Sequence, residues 1–278
     1  MLTPARVPNP HSAIRCPQFT IRRPVSFAQH GLRTARTTSV RCLPAAADTG
    51  IIFNRSIPAR VRYAFIENHT VGLCRGGTSI LGVEHLLAAC YGLGIDNLEV
   101  EVTGAEIPFG DGSARPFVRL FRSAGLQRLA RSRAAGVLAS PAIVERNGAF
   151  VCALPATRPG LNVSYFIRFS EPEVGDQLYS GPVSPAVFAQ ELASARTFGM
   201  WRGPAGMPRW LAGAVRVNDG FSVPRRRRFP DEPVRHKVLD LLGDLALLGR
   251  NLCADIFAFR AGHYLHHELV RRMEVEWT

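Results

Sequence analysis

The segment Arg235–His236–Lys237–Val238–Leu239–Asp240 sets an imidazole and a carboxylate four residues apart. On a helix, positions i and i+4 share one face, so the two groups can converge on one point. An imidazole and a carboxylate together suit a divalent metal such as Zn2+. The competing reading of that spacing is an ion pair on a solvated helix face. Val234, Val238, Leu241, Leu242, Leu245 and Leu248 cover much of the same helix, which argues for burial and for a partner. Glu84 and His85 open a second apolar helical run, VEHLLAACYGL, where a carboxyl and an imidazole must again be satisfied. A catalytic zinc site commonly uses three protein ligands with a carboxylate base beside them. His85, His236 and Asp240 would supply the ligands and Glu84 the base; a core histidine bonded to backbone is the alternative at His85. Gly262–His263 marks a strand-to-helix junction, and His263 is a candidate general acid, charged if a carboxylate such as Asp244 lies near. His266 and His267 follow, and the pattern predicts them as exposed residues of the last helix rather than further ligands.

Elements to carry these groups are legible around them. FTIRRPVSF, TSVRCLP and GIIFNRS are short runs of β-branched and aromatic residues bounded by Pro, Gly and Asn, which predicts strands. VEHLLAACYGL has its apolar residues at helical spacing and runs into Gly92 and Gly94, candidate C-cap glycines. A strand at NLEVEVTG, a turn at Gly110–Asp111–Gly112 and a helix at PFVRLFRSAGL complete the first half. Residues 127–137 show no core-facing stripe and read as a linker. The second half repeats the order, with strands at AIVER, AFVCALP and NVSYFIRF and a helix capped by Ser184–Pro185. A Gly-, Pro- and Arg-rich loop over 201–228, the helix VRHKVLDLLGDLALLG, a strand at IFAFRAG and a helix from Tyr264 then follow. Strands then helices, twice over, predict an α+β fold of two similar domains, 18–130 and 137–278, behind a loose extension over 1–17.

Composition bounds the partners. The chain has 278 residues, is 46% hydrophobic and 20% charged, and carries a net charge of +12. No run reaches the ~20 apolar residues of a membrane helix and none near a terminus suits a secretory signal, so a soluble protein is expected. The surplus charge favours anionic partners, yet the arginines are dispersed with no aromatic-interleaved basic stripe, which argues against nucleic acid. Lys237 is the only lysine, a compact ammonium that a guanidinium fork cannot replace. The six cysteines form no C-x-x-C pair and read as reduced thiols of a cytosolic compartment.

Together, VEHLLAACYGLGIDN (83–97), IPFGDGSARPFV (107–118), SARTFG (194–199), FPDEPVRHKVLDLLGD (229–244) and AGHYLHHEL (261–269) resemble the zinc-dependent UDP-3-O-acyl-N-acetylglucosamine deacetylases of lipid A biosynthesis. The motifs come in that family's order, and the likeness runs from about Phe19 to the last helix. It implies two domains, each a small sheet on two helices, with the active site in the cleft between them. It implies His85, His236 and Asp240 as zinc ligands (Fe2+ being possible), Glu84 as general base, and His263, oriented by Asp244, as charged general acid. Thr197 matches the hydroxyl that helps hold the oxyanion, while Phe198 and Lys237 match residues that contact substrate. The implied protein is a cytoplasmic monomer acting on an acylated UDP-sugar; organelle import is the alternative suggested by an acid-free opening that contains Arg and Ser. Three stretches depart from the family's pattern: Gly31–Leu32–Arg33–Thr34–Ala35, Leu81–Gly82, and WLAGAVRVNDGFSVPRRRR. These departures raise the alternative of a catalytically impaired homologue that keeps zinc and nucleotide sugar.

Overall fold

A computed structural model describes residues 14–34, 36–200, 214–216, 221–224 and 226–275. The first half runs β1 (Arg15–Ile21), β2 (Val25–His30), β3 (Thr37–Pro44), β4 (Ile51–Phe53), β5 (Ile57–Pro58), β6 (Ala64–Glu67), β7 (Thr70–Arg75), β8 (Thr78–Leu81), α1 (Glu84–Leu93), β9 (Leu98–Thr103) and α2 (Arg115–Ala124). The second runs β10 (Leu126–Ala134), β11 (Gly136–Val137), β12 (Ala142–Arg146), β13 (Ala149–Pro155), β14 (Leu161–Arg168), β15 (Asp176–Val183) and α3 (Pro185–Val187), which continues as a π turn over Phe188–Leu192. It ends with β16 (Gly199–Met200), β17 (Ala214–Arg216), β18 (Phe221–Pro224), α4 (Glu232–Leu245), β19 (Leu252–Phe259) and α5 (His263–Val275).

The two halves share one topology. The first sheet has the order β2-β3-β9-β4-β5 and the second β12-β13-β19-β14-β15, with β11 beside β19. In each, the central strand pairs antiparallel with the hairpin before it and parallel with the next strand. Each half also inserts a three-stranded sheet before its central helix, β6-β7-β8 ahead of α1 and β16-β18-β17 ahead of α4. This is an α+β fold of two similar domains, each a sheet backed by helices. Along β13, β14 and β19 alternate residues such as Val151, Val163 and Ile256 are buried, so one face of the second sheet lies on the core.

Four sequence expectations change. Residues 127–137 are not connecting chain: β10 pairs antiparallel with β1 from Arg15↔Ala134 to Ile21↔Leu126. The absence of a core-facing stripe there reflects a mostly exposed ribbon rather than a linker. Likewise Arg15–Pro17 belong to β1 rather than to a loose extension; residues 1–13 lie outside the described residues. The described parts of 201–228 include strands β17 and β18, which pair with each other, and β18 also pairs with β16. The remaining change concerns the last helix and is set out with the site below. No helix among the described residues is long and apolar enough to cross a membrane.

The topologically equivalent helices α1 and α4 pack against each other, and this crossing positions the chemistry. Helix α1 stops at Gly94, whose left-handed φ of 75° lets its N–H and that of Ile95 reach back to the last-turn carbonyls. Its other end meets α4 at Gly243. A Cβ built on Gly243 would lie 2.4 Å from the backbone oxygen of Glu84, closer than any real contact. The offending atom is backbone, so no rotamer change can relieve it. Replacing glycine by alanine in a helix ordinarily gains about 1 kcal/mol, while overpacking a core costs about 1–3 kcal/mol. The clash therefore wins, and Gly243→Ala is expected to lower Tm by several degrees in a thermal melt. An unchanged or raised Tm would show that the helices can part without cost.

Candidate metal centre

Helix α4 carries His236, Asp240 and Asp244 at successive i, i+4 positions, all buried. Helix α1 brings Glu84 and His85 to the same place from its first turn. The Asp240 Oδ1 oxygen lies 3.2 Å from His236 Nε2 and 3.9 Å from His85 Nε2. His236 donates its Nδ1–H to the Ala195 carbonyl at 3.0 Å, which turns Nε2 toward the carboxylate. Burial first, then the neighbouring His236, pushes the His85 imidazole down to about 3 and so keeps it neutral. Burial alone would raise the Asp240 carboxyl, but His236, Lys237 and His263 outweigh it and hold Asp240 well below the usual carboxylate range. Two imidazole nitrogens and an ionised carboxylate oxygen thus face one another in a buried space, a donor set that could hold a metal ion. The N, N, O donor set suits Zn2+ with coordination positions left open.

A second group, Asp244 with His263 and His266, is also close enough to hold a metal. Its geometry is different. His263 and His266 both aim Nδ1 at Asp244 Oδ2, at 2.7 and 2.8 Å, and His267 aims Nε2 at Oδ1 at 3.0 Å. These nitrogens donate protons to the carboxylate, so they offer no lone pairs to a shared centre. The group is a hydrogen-bond network.

Glu84 and His263 flank the metal set with opposite tendencies. Burial drives the Glu84 carboxyl up to about 7, opposed by the positive His263 and reinforced by Asp240 and Asp244. The Val71 N–H donates to Glu84 Oε2 at 3.2 Å and holds it in place. For His263, burial would depress the pKa, but Asp244 and then Asp240 overcome it and lift it to about 9. Its free Nε2 lies 3.8 Å from Asp240 Oδ2. A carboxylate poised near neutrality beside an imidazolium is an acid–base pair. Lys237 donates to Asp240 Oδ2 at 2.7 Å and sits 5.7 Å from the centre of the Phe198 ring. Lys237 and His263 also line a cleft of about 550 Å³ with His69, Arg146, Asn147 and Tyr264.

The segment SARTFG is held by a buried carboxylate. Glu232, fully buried at the start of α4, accepts from the Arg196 N–H at 3.0 Å, the Arg196 guanidinium at 2.8 Å and the Arg228 N–H at 2.8 Å. Arg228 in turn pairs with Asp111 at 2.7 Å and donates to the Ser194 carbonyl. The Thr197 N–H donates to Gly112 at 2.7 Å, and Phe198 packs edge-on to His236 with ring centres 6.3 Å apart. The residues singled out in sequence are thus joined by contacts around Asp240 and Asp244, with Lys237 and His263 on the larger cleft and Glu84 and His85 on a small separate pocket, while no contact places the Thr197 hydroxyl against the metal set.

The expectation for His266 and His267 is corrected: they are 0% and 1% exposed. His266 lies on the stripe of Leu269, Val270 and Met273, a spacing that signals burial in the sequence itself. Two imidazoles can occupy that stripe because Asp244 supplies an acceptor to both. Glu232, Ala195 and Glu106 were not legible as site residues. Glu106 accepts from the N–H groups of Arg33 and Thr34 and from the Thr34 hydroxyl, which fixes the turn that departs from the family pattern. Truncating a buried ion-pair partner costs about 3–5 kcal/mol. Glu232→Ala should accordingly lower the urea midpoint strongly, whereas Asp176→Ala, which breaks an exposed pair with Arg168, should shift it little. Equal shifts would mean that Glu232 carries no special load.

Comparison with known proteins gives one consistent result. The model of the family described as UDP-3-O-acyl N-acetylglycosamine deacetylase matches residues 18–274. A protein of Nitratidesulfovibrio vulgaris named UDP-3-O-acyl-N-acetylglucosamine deacetylase is 39% identical over 274 residues, covering 92% of this chain and 87% of the relative. Proteins of the same name from Solibacter usitatus and Trichormus variabilis are 38% and 36% identical, cover 92% of this chain, and are themselves covered over 90% and 98%.

Proposed function

The chain belongs to the UDP-3-O-acyl-N-acetylglucosamine deacetylase family, and from that premise we propose that His85, His236 and Asp240 hold a catalytic Zn2+. The enzyme hydrolyses the N-acetyl group of UDP-3-O-acyl-N-acetylglucosamine in lipid A biosynthesis. The observation that carries the metal assignment is His236 Nε2 set 3.2 Å from an ionised Asp240 oxygen, with a neutral His85 opposite. Fe2+ is the runner-up occupant, because the same imidazole and carboxylate ligands accept it.

A divalent cation bound there supplies Lewis acidity toward the acetamide oxygen and lowers the pKa of water at the site. Glu84, poised at about 7, takes the proton of the attacking water. The Thr197 hydroxyl is our assigned donor to the oxyanion that forms on the former carbonyl. His263 holds its proton on Nε2 and delivers it to the sugar nitrogen as the C–N bond breaks, since an amide anion cannot leave. Asp244 keeps that imidazole protonated and aimed. Lys237 and Phe198 contact substrate at the mouth of the cleft, and the net charge of +12 favours the UDP diphosphate. We place the reaction in the cytoplasm, with a monomer acting on a small molecule and no nucleic-acid partner. Glu84 and His263 are both present and mutually tuned, so the site favours an active enzyme over an impaired homologue.

Two experiments test this reading. Wild-type protein should contain about one metal per chain by elemental analysis and release acetate from UDP-3-O-acyl-N-acetylglucosamine. Glu84→Gln should keep the metal and lose at least ~10²-fold in kcat, while His85→Ala should lose the metal; a metal-replete His85→Ala protein would refute the ligand set. The pH profile carries the second test. Glu84 acts ionised, so activity rises with pH up to about 7, and a bound cation can only move that limb lower. His263 acts protonated, so activity falls as pH passes about 9. In Glu84→Gln the acid limb should disappear, and its persistence would reassign the base.

A further inference from the structure

Beneath His263 and Asp244 lies a second layer of buried polar groups, His266 and Tyr165, that the hydrolysis does not itself use. Asp244 is 0% exposed and its two oxygens accept from three imidazoles. His263 and His266 share one of those oxygens, both through Nδ1. The carboxylate therefore holds the Nδ1 proton of each ring, and the Nε2 of each points elsewhere. For His263 that nitrogen turns toward Asp240 and the cleft. For His266 it turns inward, to the Tyr165 hydroxyl at 3.0 Å.

Tyr165 stands on β14, itself fully buried, and its hydroxyl also lies 2.8 Å from the Ala261 carbonyl, so that its single proton is shared between that oxygen and His266 Nε2. Ala261 lies two residues before His263, in the β19–α5 junction. One phenol thus ties down both the backbone that launches His263 and the ring that shares its carboxylate oxygen. A carboxylate shared by two donors is fixed in rotation about its own bond, and the direction of its second lone pair sets the plane of the other ring. Outer-layer partners of this kind usually tune rather than perform the chemistry.

We propose that His266 and Tyr165 are positioning residues for the deacetylation, fixing the plane and the Nε2 direction of His263 through Asp244 and the Ala261 carbonyl. The proposal rests on the reading of His263 as the general acid. It predicts an effect on the step that uses that proton and little effect on substrate capture.

The test compares steady-state kinetics, metal content and thermal melts for His266→Leu, His266→Asn, Tyr165→Phe and His263→Ala. His266→Leu removes the donor at similar volume and should lower kcat about 10- to 100-fold, with KM within about twofold and the metal retained. In His266→Asn the side-chain amide can occupy the place of Nδ1–H, so most of kcat should return. Tyr165→Phe should lower kcat several-fold, again with KM and metal unchanged. A purely structural role would lower Tm without moving kcat per metal-loaded chain, and His266→Leu with wild-type kcat per metal would overturn the proposal. If His266→Leu does not fold, Tyr165→Phe decides, and unchanged kcat there overturns it equally. His263→Ala separates the two levels: should it keep wild-type kcat, the general-acid reading falls, whereas a large loss there with none in the other three removes only the proposal.

Discussion

Asp240 and Asp244 are buried one turn apart on α4, and the site is organised around making that tolerable. Ionised carboxylates taken out of water cost several kcal/mol each unless partners compensate them. Each of these two is answered differently. Asp240 faces two imidazole nitrogens and the only lysine of the chain, while Asp244 receives three imidazole N–H groups. The first arrangement turns two imidazole nitrogens and a carboxylate oxygen toward one point, and the second spends its three nitrogens on the carboxylate itself. In the proposed function one carboxylate is a metal ligand and the other a clamp for the general acid. The residual cost is visible at His267, whose Nδ1 is buried with no partner among the described residues. Its Nε2 bond to a charged acceptor is worth more than that loss.

The repeated topology explains how so many polar groups reach one place. Helices α1 and α4 occupy equivalent positions in the two halves, and they cross where Gly243 meets the first turn of α1. Glu84 and His85, the proposed base and one proposed ligand, come from the start of α1, and His236 and Asp240 from α4. His263, the proposed general acid, comes from α5, the counterpart of α2. Chemistry assembled from both halves depends on their relative placement, which is held by the helix crossing and by the β1–β10 ribbon. Glu232 performs the corresponding service for the chain leading to Thr197 and Phe198, by gathering Arg196 and Arg228 at the head of α4.

Much of this was readable from residue types and spacing, and the gaps have physical causes. His236 and Asp240 announced themselves by helical spacing among leucines, and Glu84–His85 by polarity inside an apolar run. The family resemblance then joined segments that spacing alone cannot join. What failed was local in character. The ribbon strand β10 lacks a buried face, so periodicity had nothing to report. His266 and His267 looked like surface because histidine and charge usually do, although His266 shares its stripe with Leu269 and Met273. The roles of Glu232, Glu106 and Tyr165 arise only from contacts between distant segments, such as Arg196 with Glu232 and Tyr165 with His266. No single-sequence signal encodes those pairings.

X-ray absorption at the metal edge of the purified enzyme tests the central assignment most directly. The account predicts a first shell of nitrogen and oxygen at about 2.0–2.2 Å with outer-shell scattering from imidazole rings, and no sulfur. The chain holds six cysteines, all free thiols here, so a competing site is chemically available. A sulfur shell at about 2.3 Å, or a first shell without imidazole, would place the metal elsewhere and contradict the role given to His85, His236 and Asp240.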